Sequence, residues 1–171
     1  ESVHLDELSP TEIAEASGEG VSLGVSQMIE QLRYADTYGS LIRVPTGTPD
    51  LFREIARRIE VGERQQVLGG ADREEWLRAA DMCEILEDGR YTTLIANPPY
   101  LGRQNFGTAL KHFMGKFYSV AKDDLYSGFM VRARYLTADC GSWGMIVFPG
   151  WMSLSSFEKF RIDLLDHQCL E

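Results

Sequence analysis

The sequence contains no long apolar run. Its best stretch, Gly144 to Met152, is far below the roughly 20 residues that a membrane span needs, so no membrane partner is expected. No basic segment followed by an apolar one opens the chain, so no signal peptide is read there. Cysteine is scarce and unpaired in pattern. Cys83, Cys140 and Cys169 are far apart, odd in number and form no CxxC, which argues against a disulfide framework or a zinc site. Reduced, mostly buried thiols in a cytoplasmic protein are the expectation. Histidine is equally thin: His4, His112 and His167 are scattered, and no metal site is expected. With 6 prolines and 16 glycines in 171 residues, fibrous and low-complexity structure are excluded too. The first residue is Glu1, and the opening residues read as mid-protein, so the chain is expected to be a piece of something longer.

What is present is an ordinary globular composition, 44% hydrophobic and 25% charged, enough for one domain with a real core. The net charge is −9, the wrong sign for a self-sufficient DNA binder. It is unevenly spread. Residues 1–90 carry 9 basic and 19 acidic side chains, whereas residues 91–171 carry 8 and 7. Between Arg103 and Arg134 there are six basic residues (Arg103, Lys111, Lys116, Lys122, Arg132, Arg134) against Asp123 and Asp124. Such a segment suits a surface near phosphates, and equally a helix charged for solubility.

Apolar periodicity divides the chain at about residue 90. Before it, Ser9-Pro10-Thr11-Glu12 reads as the start of a short helix over 11–16, followed by a loop at 17–20. Helices are predicted over 25–38, 50–61 and 71–87, with breaks at Gly62 and Gly69-Gly70 and a short strand over 40–44. The Trp76, Leu77, Ala80 and Cys83 stripe reads as core. Charge runs such as Arg57-Arg58 read as solvated faces. After residue 90, Tyr91 to Ala96 is β-branched and apolar, a strand buried on both faces. Helices follow over 108–118 and 123–138, then a turn at Gly141–Gly144 and a second buried strand over 145–149. Ser155 or Ser156 caps a last helix running through Leu165, and Leu170 opens a third strand. Strand, helix, strand, helix is the order of a doubly wound parallel sheet.

Asn97-Pro98-Pro99-Tyr100 ends the first of these strands, where open parallel sheets bind their ligands. Two prolines stiffen the turn and remove two N–H donors. Bare carbonyl oxygens, one side-chain amide and one aromatic ring remain. That set suits a planar amine. The Asn97 side-chain oxygen and the Pro98 carbonyl accept its two hydrogens, which turns the nitrogen lone pair out of plane toward an electrophile. Tyr100 stacks on the ring bearing the amine, worth about 1–3 kcal/mol. Phe106, Phe117 or Tyr118 would serve as a second stacking ring, or equally as core.

Here the sequence resembles the S-adenosylmethionine-dependent amino-methyltransferases, whose motif is [DNS]-P-P-[YFW], and among them the DNA adenine-N6 enzymes. Asp124-Leu125-Tyr126-x-x-Phe129 resembles the family's next motif, a helix start beside the cofactor. Gly144 to Pro149 resembles its following strand. Trp151 to Leu154, with Phe160-Arg161, resembles the helix after that, and Tyr38 to Ile42 resembles a segment upstream of the motif. The sequence is similar to the PglX type of bacteriophage-exclusion systems and to Type I and fused Type II restriction-modification methyltransferases.

The resemblance implies a partial doubly wound, mostly parallel α/β sheet, Rossmann-like, with an added helical segment. Residues 1–90 would be an acidic crossover or insertion and 91–171 the half with the catalytic motif. It implies Asn97, Pro98, Pro99 and Tyr100 as catalytic residues, and Asp124 and Phe129 at the cofactor, S-adenosylmethionine. Double-stranded DNA with a flipped adenine would be the partner, besides possible restriction or phage-defence subunits. The family's glycine-rich cofactor loop has no counterpart here, so this chain alone is expected to bind S-adenosylmethionine weakly or not at all. Two alternatives stay open: a protein-glutamine methyltransferase, whose substrate presents the same planar NH2, and a non-catalytic recognition or scaffold subunit that keeps the fold.

Overall fold

The computed structural model describes residues 22–60 and 73–167, with side chains from Gln27 onward. The chain divides into two compact units, Glu1–Asp88 and Gly89–Glu171. The helix at 11–16, the loop at 17–20, the breaks at Gly62 and Gly69-Gly70 and the strand from Leu170 lie outside the described residues.

The first unit is helical: α1 (Ser22–Leu32), α2 (Ala35–Tyr38), α3 (Thr48–Glu60) and α4 (Arg73–Ile85). A single helix over 25–38 is not formed. The chain breaks at Arg33–Tyr34, where Tyr34 leaves the helical region (φ −109°, ψ 26°). The pair α3 and α4 makes the core, with Phe52, Ile55 and Ala56 facing Trp76, Ala79, Ala80 and Cys83, all buried. Phe52 and Trp76 meet edge to face at 5.3 Å. Outside that seam, charges pair: Arg57 and Arg58 both bond Glu54 at 2.8 and 3.0 Å, holding its carboxyl at about 2, and Arg53 bonds Glu84.

The strand expected over 40–44 is replaced by a 3-10 turn at Gly39–Leu41. Its backbone groups are used locally. Ile42 N–H bonds back to Gly39 O, and Arg43 N–H donates to the Gln31 side chain at 3.3 Å. Only Val44 makes a β-bridge, to Glu87.

The second unit contains the sheet: β1 (Tyr91–Ala96), α5 (Thr108–Phe117), α6 (Leu125–Leu136), β2 (Thr137–Met145), α7 (Gly150–Ser153) and α8 (Glu158–His167). The strands β1 and β2 pair in parallel, with Leu94 opposite Trp143 and Ala96 opposite Met145. The second strand ends four residues earlier than the sequence suggests, and the expected turn at Gly141–Gly144 is inside it. It ends where its partner ends, since Ala96 is the last residue of β1 and pairs with Met145; nearer its start β2 carries a bulge. Tyr91 pairs with Thr137 but Thr93 with Ser142, so four residues of β2 are taken up there. Cys140 in the bulge has φ +62°. A Cβ on Gly141 would lie 2.9 Å from Thr92 O and 3.0 Å from Ala138 O, so glycine is required by closeness of backbone.

Neither strand is buried on both faces as expected. Ile95 is 86% exposed and Ile146, just past the end of β2, 71% exposed, and among the described residues the sheet has two strands. The expectation of buried thiols holds for Cys83 but not for Cys140, which the bulge puts on the surface. Burial pushes the Cys83 thiol up to about 12, with the Glu87 carboxylate adding to it. Among the described residues, no helix is long and apolar enough to cross a membrane, and no cluster of His, Cys, Asp and Glu could hold a metal ion.

Candidate active site at the end of the first strand

The parallel register places the ends of β1 and β2 side by side. Ile146 N–H donates to Ala96 O at 3.2 Å, the last rung before the tetrapeptide. The next residues of each strand, Asn97-Pro98-Pro99-Tyr100 and Ile146-Val147-Phe148, therefore leave the sheet at the same edge. Pro98 is buried, whereas Asn97, Pro99 and Tyr100 are exposed. A stiff turn is thus anchored by one proline and offers its polar groups outward.

Tyr100 is fixed from several sides. Its hydroxyl donates to Ile146 O at 2.7 Å and lies 3.4 Å from Asn97 Oδ1. Its ring meets Phe148 at 4.5 Å and Tyr126 at 6.0 Å, edge on. Behind Tyr126 the aromatic contacts continue through Phe157, stacked at 5.9 Å, to Phe160 and Trp151. Burial, with the Asp124 carboxylate adding to it, pushes the Tyr126 hydroxyl above its usual range. Tyr100 nonetheless stays 41% exposed. A phenol with its hydroxyl occupied and its ring braced has its ring surface left to offer.

The turn after the motif is tied down by Asp124. Its Oδ1 accepts from Leu101 N–H at 3.2 Å and from Tyr126 N–H at 3.3 Å. One carboxylate oxygen thus caps α6 and holds the chain leaving Tyr100. Gly102 and Asp124 form an antiparallel bridge, and Arg103 N–H donates to Asp123 O. Phe129 follows on α6, half-buried. On the far side of β2, Arg161 Nη1 donates to Trp151 O and Leu154 O, both at 2.7 Å, and so closes the loop carrying α7.

The tetrapeptide and the Asp124 helix start, singled out in the sequence, therefore meet through Leu101. Ile146 and Phe148 were missed as neighbours of Tyr100. Their signal was the parallel order itself: two strands that end together present their following residues together. Phe106 and Tyr118 are buried and belong to the core, while Phe117, half-buried, packs on Phe113 at 5.0 Å. The ring beside Tyr100 is Phe148, 60% exposed.

The family model of the Eco57I restriction-modification methylases matches residues 35–171. The chain belongs to that family. It is also 33% identical over 126 residues to the adenine-specific methyltransferase PglX of Lacticaseibacillus casei (strain Zhang), covering 72% of this chain and 10% of that protein. It is 32% identical over 139 residues to the adenine-specific methyltransferase BrxX of Escherichia coli O9:H4 (strain HS), covering 78% of this chain and 11% of that protein. The chain thus spans about a tenth of the length of the curated relatives it matches. The matched residues include the whole of the sheet unit with its tetrapeptide.

Proposed function

We propose that this chain carries the amine-binding side of a DNA adenine-N6 methyltransferase serving restriction-modification or phage defence. The observation that carries the reading is the braced tetrapeptide at the carboxyl end of β1, with the Tyr100 hydroxyl bonded to Ile146 O and its ring still accessible. The fuller fold is a doubly wound, Rossmann-like sheet of which β1 and β2 are neighbouring strands, and residues 1–90 are an insertion or crossover to it.

In this reading a flipped adenine stacks on Tyr100 and gives its two N6 hydrogens to Asn97 Oδ1 and Pro98 O. Tyr100 has one proton, and the 2.7 Å bond to Ile146 O uses it. An Asn97 amide rotated by half a turn then donates from Nδ2 to the tyrosine oxygen and frees Oδ1 for the substrate. The chain of bonds from Asn97 through Tyr100 to Ile146 O would hold that orientation. Pro98, buried, keeps its carbonyl from swinging away. No base is required beforehand, because the amine attacks neutral and sheds its proton afterwards.

The methyl donor is S-adenosylmethionine, which supplies an electrophilic methyl group when bound. The residues present fit it in part. Asp124 Oδ1 already accepts two backbone N–H groups, and Phe129 adds a half-buried ring. These two border the donor without gripping it.

The test is Asn97→Ala in the full-length protein, assayed by digesting host DNA and quantifying N6-methyladenine. Loss of one preorganised hydrogen-bonding group is expected to cut methylation on the order of a hundredfold or more. Near-normal N6-methyladenine in the variant refutes the reading. Methylated glutamine in protein, with unmodified DNA, transfers it to the other substrate with a planar NH2.

A further inference from the structure

From Gly89 through Lys122 the chain has no Asp or Glu, although the whole sequence has 26. The structure shows where the cations of that stretch go. On α5, Leu110, Phe113 and Met114 are buried, while Thr108, Lys111, His112, Gly115 and Lys116 are exposed. The spacing i, i+3, i+4, i+7, i+8 makes the second set one continuous face. It carries two lysines, a histidine and a hydroxyl, and no carboxylate.

That face differs from other cationic surfaces of the molecule. Arg53 lies against Glu84, Asp81 and Asp50, Arg57 and Arg58 against Glu54, and Arg73 against Glu60 and Glu74. Each of those arginines lies against at least one carboxylate. Gly115 adds a second peculiarity. It sits mid-helix, where glycine costs about 1 kcal/mol relative to alanine, yet a Cβ there would meet nothing within 4 Å. Packing does not demand it. A bare helix backbone between two lysines admits close approach of a bulky anionic chain.

We infer that the exposed face of α5 seats the sugar–phosphate backbone of the DNA whose adenine is methylated, with Lys111 and Lys116 as phosphate contacts. This inference rests on the DNA-methyltransferase reading above. Phosphate contacts position a duplex without reading its sequence, which suits a segment following directly on the motif that takes the base. A membrane surface is the poorer fit, since the apolar side of α5 is already buried and leaves nothing to insert among lipids.

The experiment compares the full-length protein with its Lys111→Gln/Lys116→Gln variant, by fluorescence anisotropy on a labelled DNA duplex over a series of salt concentrations. Each lysine that meets a phosphate contributes about one unit to the slope of log affinity against log salt, so the slope should shrink by about two. The turnover number at saturating DNA should stay unchanged while KM for DNA rises. Asn97→Ala should do the reverse, removing methylation and keeping the slope. An Arg57→Gln/Arg58→Gln control, which removes the same charge from α3, should leave the slope alone. An unchanged slope in the α5 variant overturns the inference even when Asn97→Ala upholds the active site. So does an equal change in the α3 control, or a loss confined to RNA with duplex binding intact.

Discussion

The helical unit and the sheet unit treat their apolar residues differently. The first turns Phe52, Ile55, Trp76 and Cys83 inward until each is shut off from solvent. The second buries a core along α5 and α6 but leaves Ile95, Ile146, Phe148 and Tyr100 in the open at the edge that carries the motif. Of the ten large apolar side chains exposed among the described residues, eight belong to the sheet unit. In the helical unit apolar area is used for cohesion. At the end of the sheet it is surface on which a flat ring can be laid.

The contrast is most easily broken by stability measurements. Trp76→Ala should lower the unfolding free energy of the chain by about 3–5 kcal/mol, whereas Phe148→Ala should shift it by no more than about 0.5 kcal/mol. Urea denaturation of both variants checks this. A Phe148 cost matching that of Trp76 would mean that the ring is structural after all.

The buried thiol sharpens the same contrast with pH. Cys83 has its folded value raised to about 12, from an ordinary 9.0. Below pH 9 the thiol is protonated in both states, and its contribution is fully present. Between 9 and 12 the unfolded chain sheds the proton and the folded one keeps it, so stability falls by about 1.4 kcal/mol per pH unit. Replacing Cys83 with Ala should remove that component of the alkaline slope.

Tyr100 tests the working surface. Tyr100→Ala should cost about 1–3 kcal/mol in kcat/KM through lost stacking. Tyr100→Phe should cost about 0.5–1.5 kcal/mol, the worth of the bond to Ile146 O. If steady-state methylation kinetics of the full-length protein show Phe failing as badly as Ala, the hydroxyl rather than the ring is what matters. Asp124 tests the cap that holds the turn. Asp124→Ala should destabilise α6 by about 1 kcal/mol, and Asp124→Asn by much less, because asparagine also caps. Equal losses by thermal melting would point to the negative charge instead of the cap.

Much of this was legible in the sequence, for physical reasons that differ by element. The boundaries of β1 were read correctly from its β-branched run and the prolines that stop it. The helices α3, α4, α5 and α6 were found to within two or three residues, because each has a clear apolar face. The tetrapeptide and a helix start at Asp123 or Asp124 were visible as local patterns, and the cap is Asp124. What failed was whatever depends on distant partners. The strand over 40–44 lost its backbone donors to Gly39 and to the Gln31 side chain, which no alternation of residues announces. The bulge in β2 went unread, since a three-residue register shift leaves no trace but a glycine at 141. Apolarity alone also overstated burial, because a β-branched strand looks the same whether or not anything covers it.

The bond between Tyr100 and Ile146 joins residues 46 apart. Parallel pairing cannot be reached by a hairpin, so the intervening helices must be laid down before that bond closes. During synthesis, Asn97-Pro98-Pro99-Tyr100 would leave the ribosome well ahead of its brace, at a pace of about 5–20 residues per second. The tetrapeptide therefore waits some seconds as a loose segment. The braced form of the turn arrives in one step, with the docking of β2.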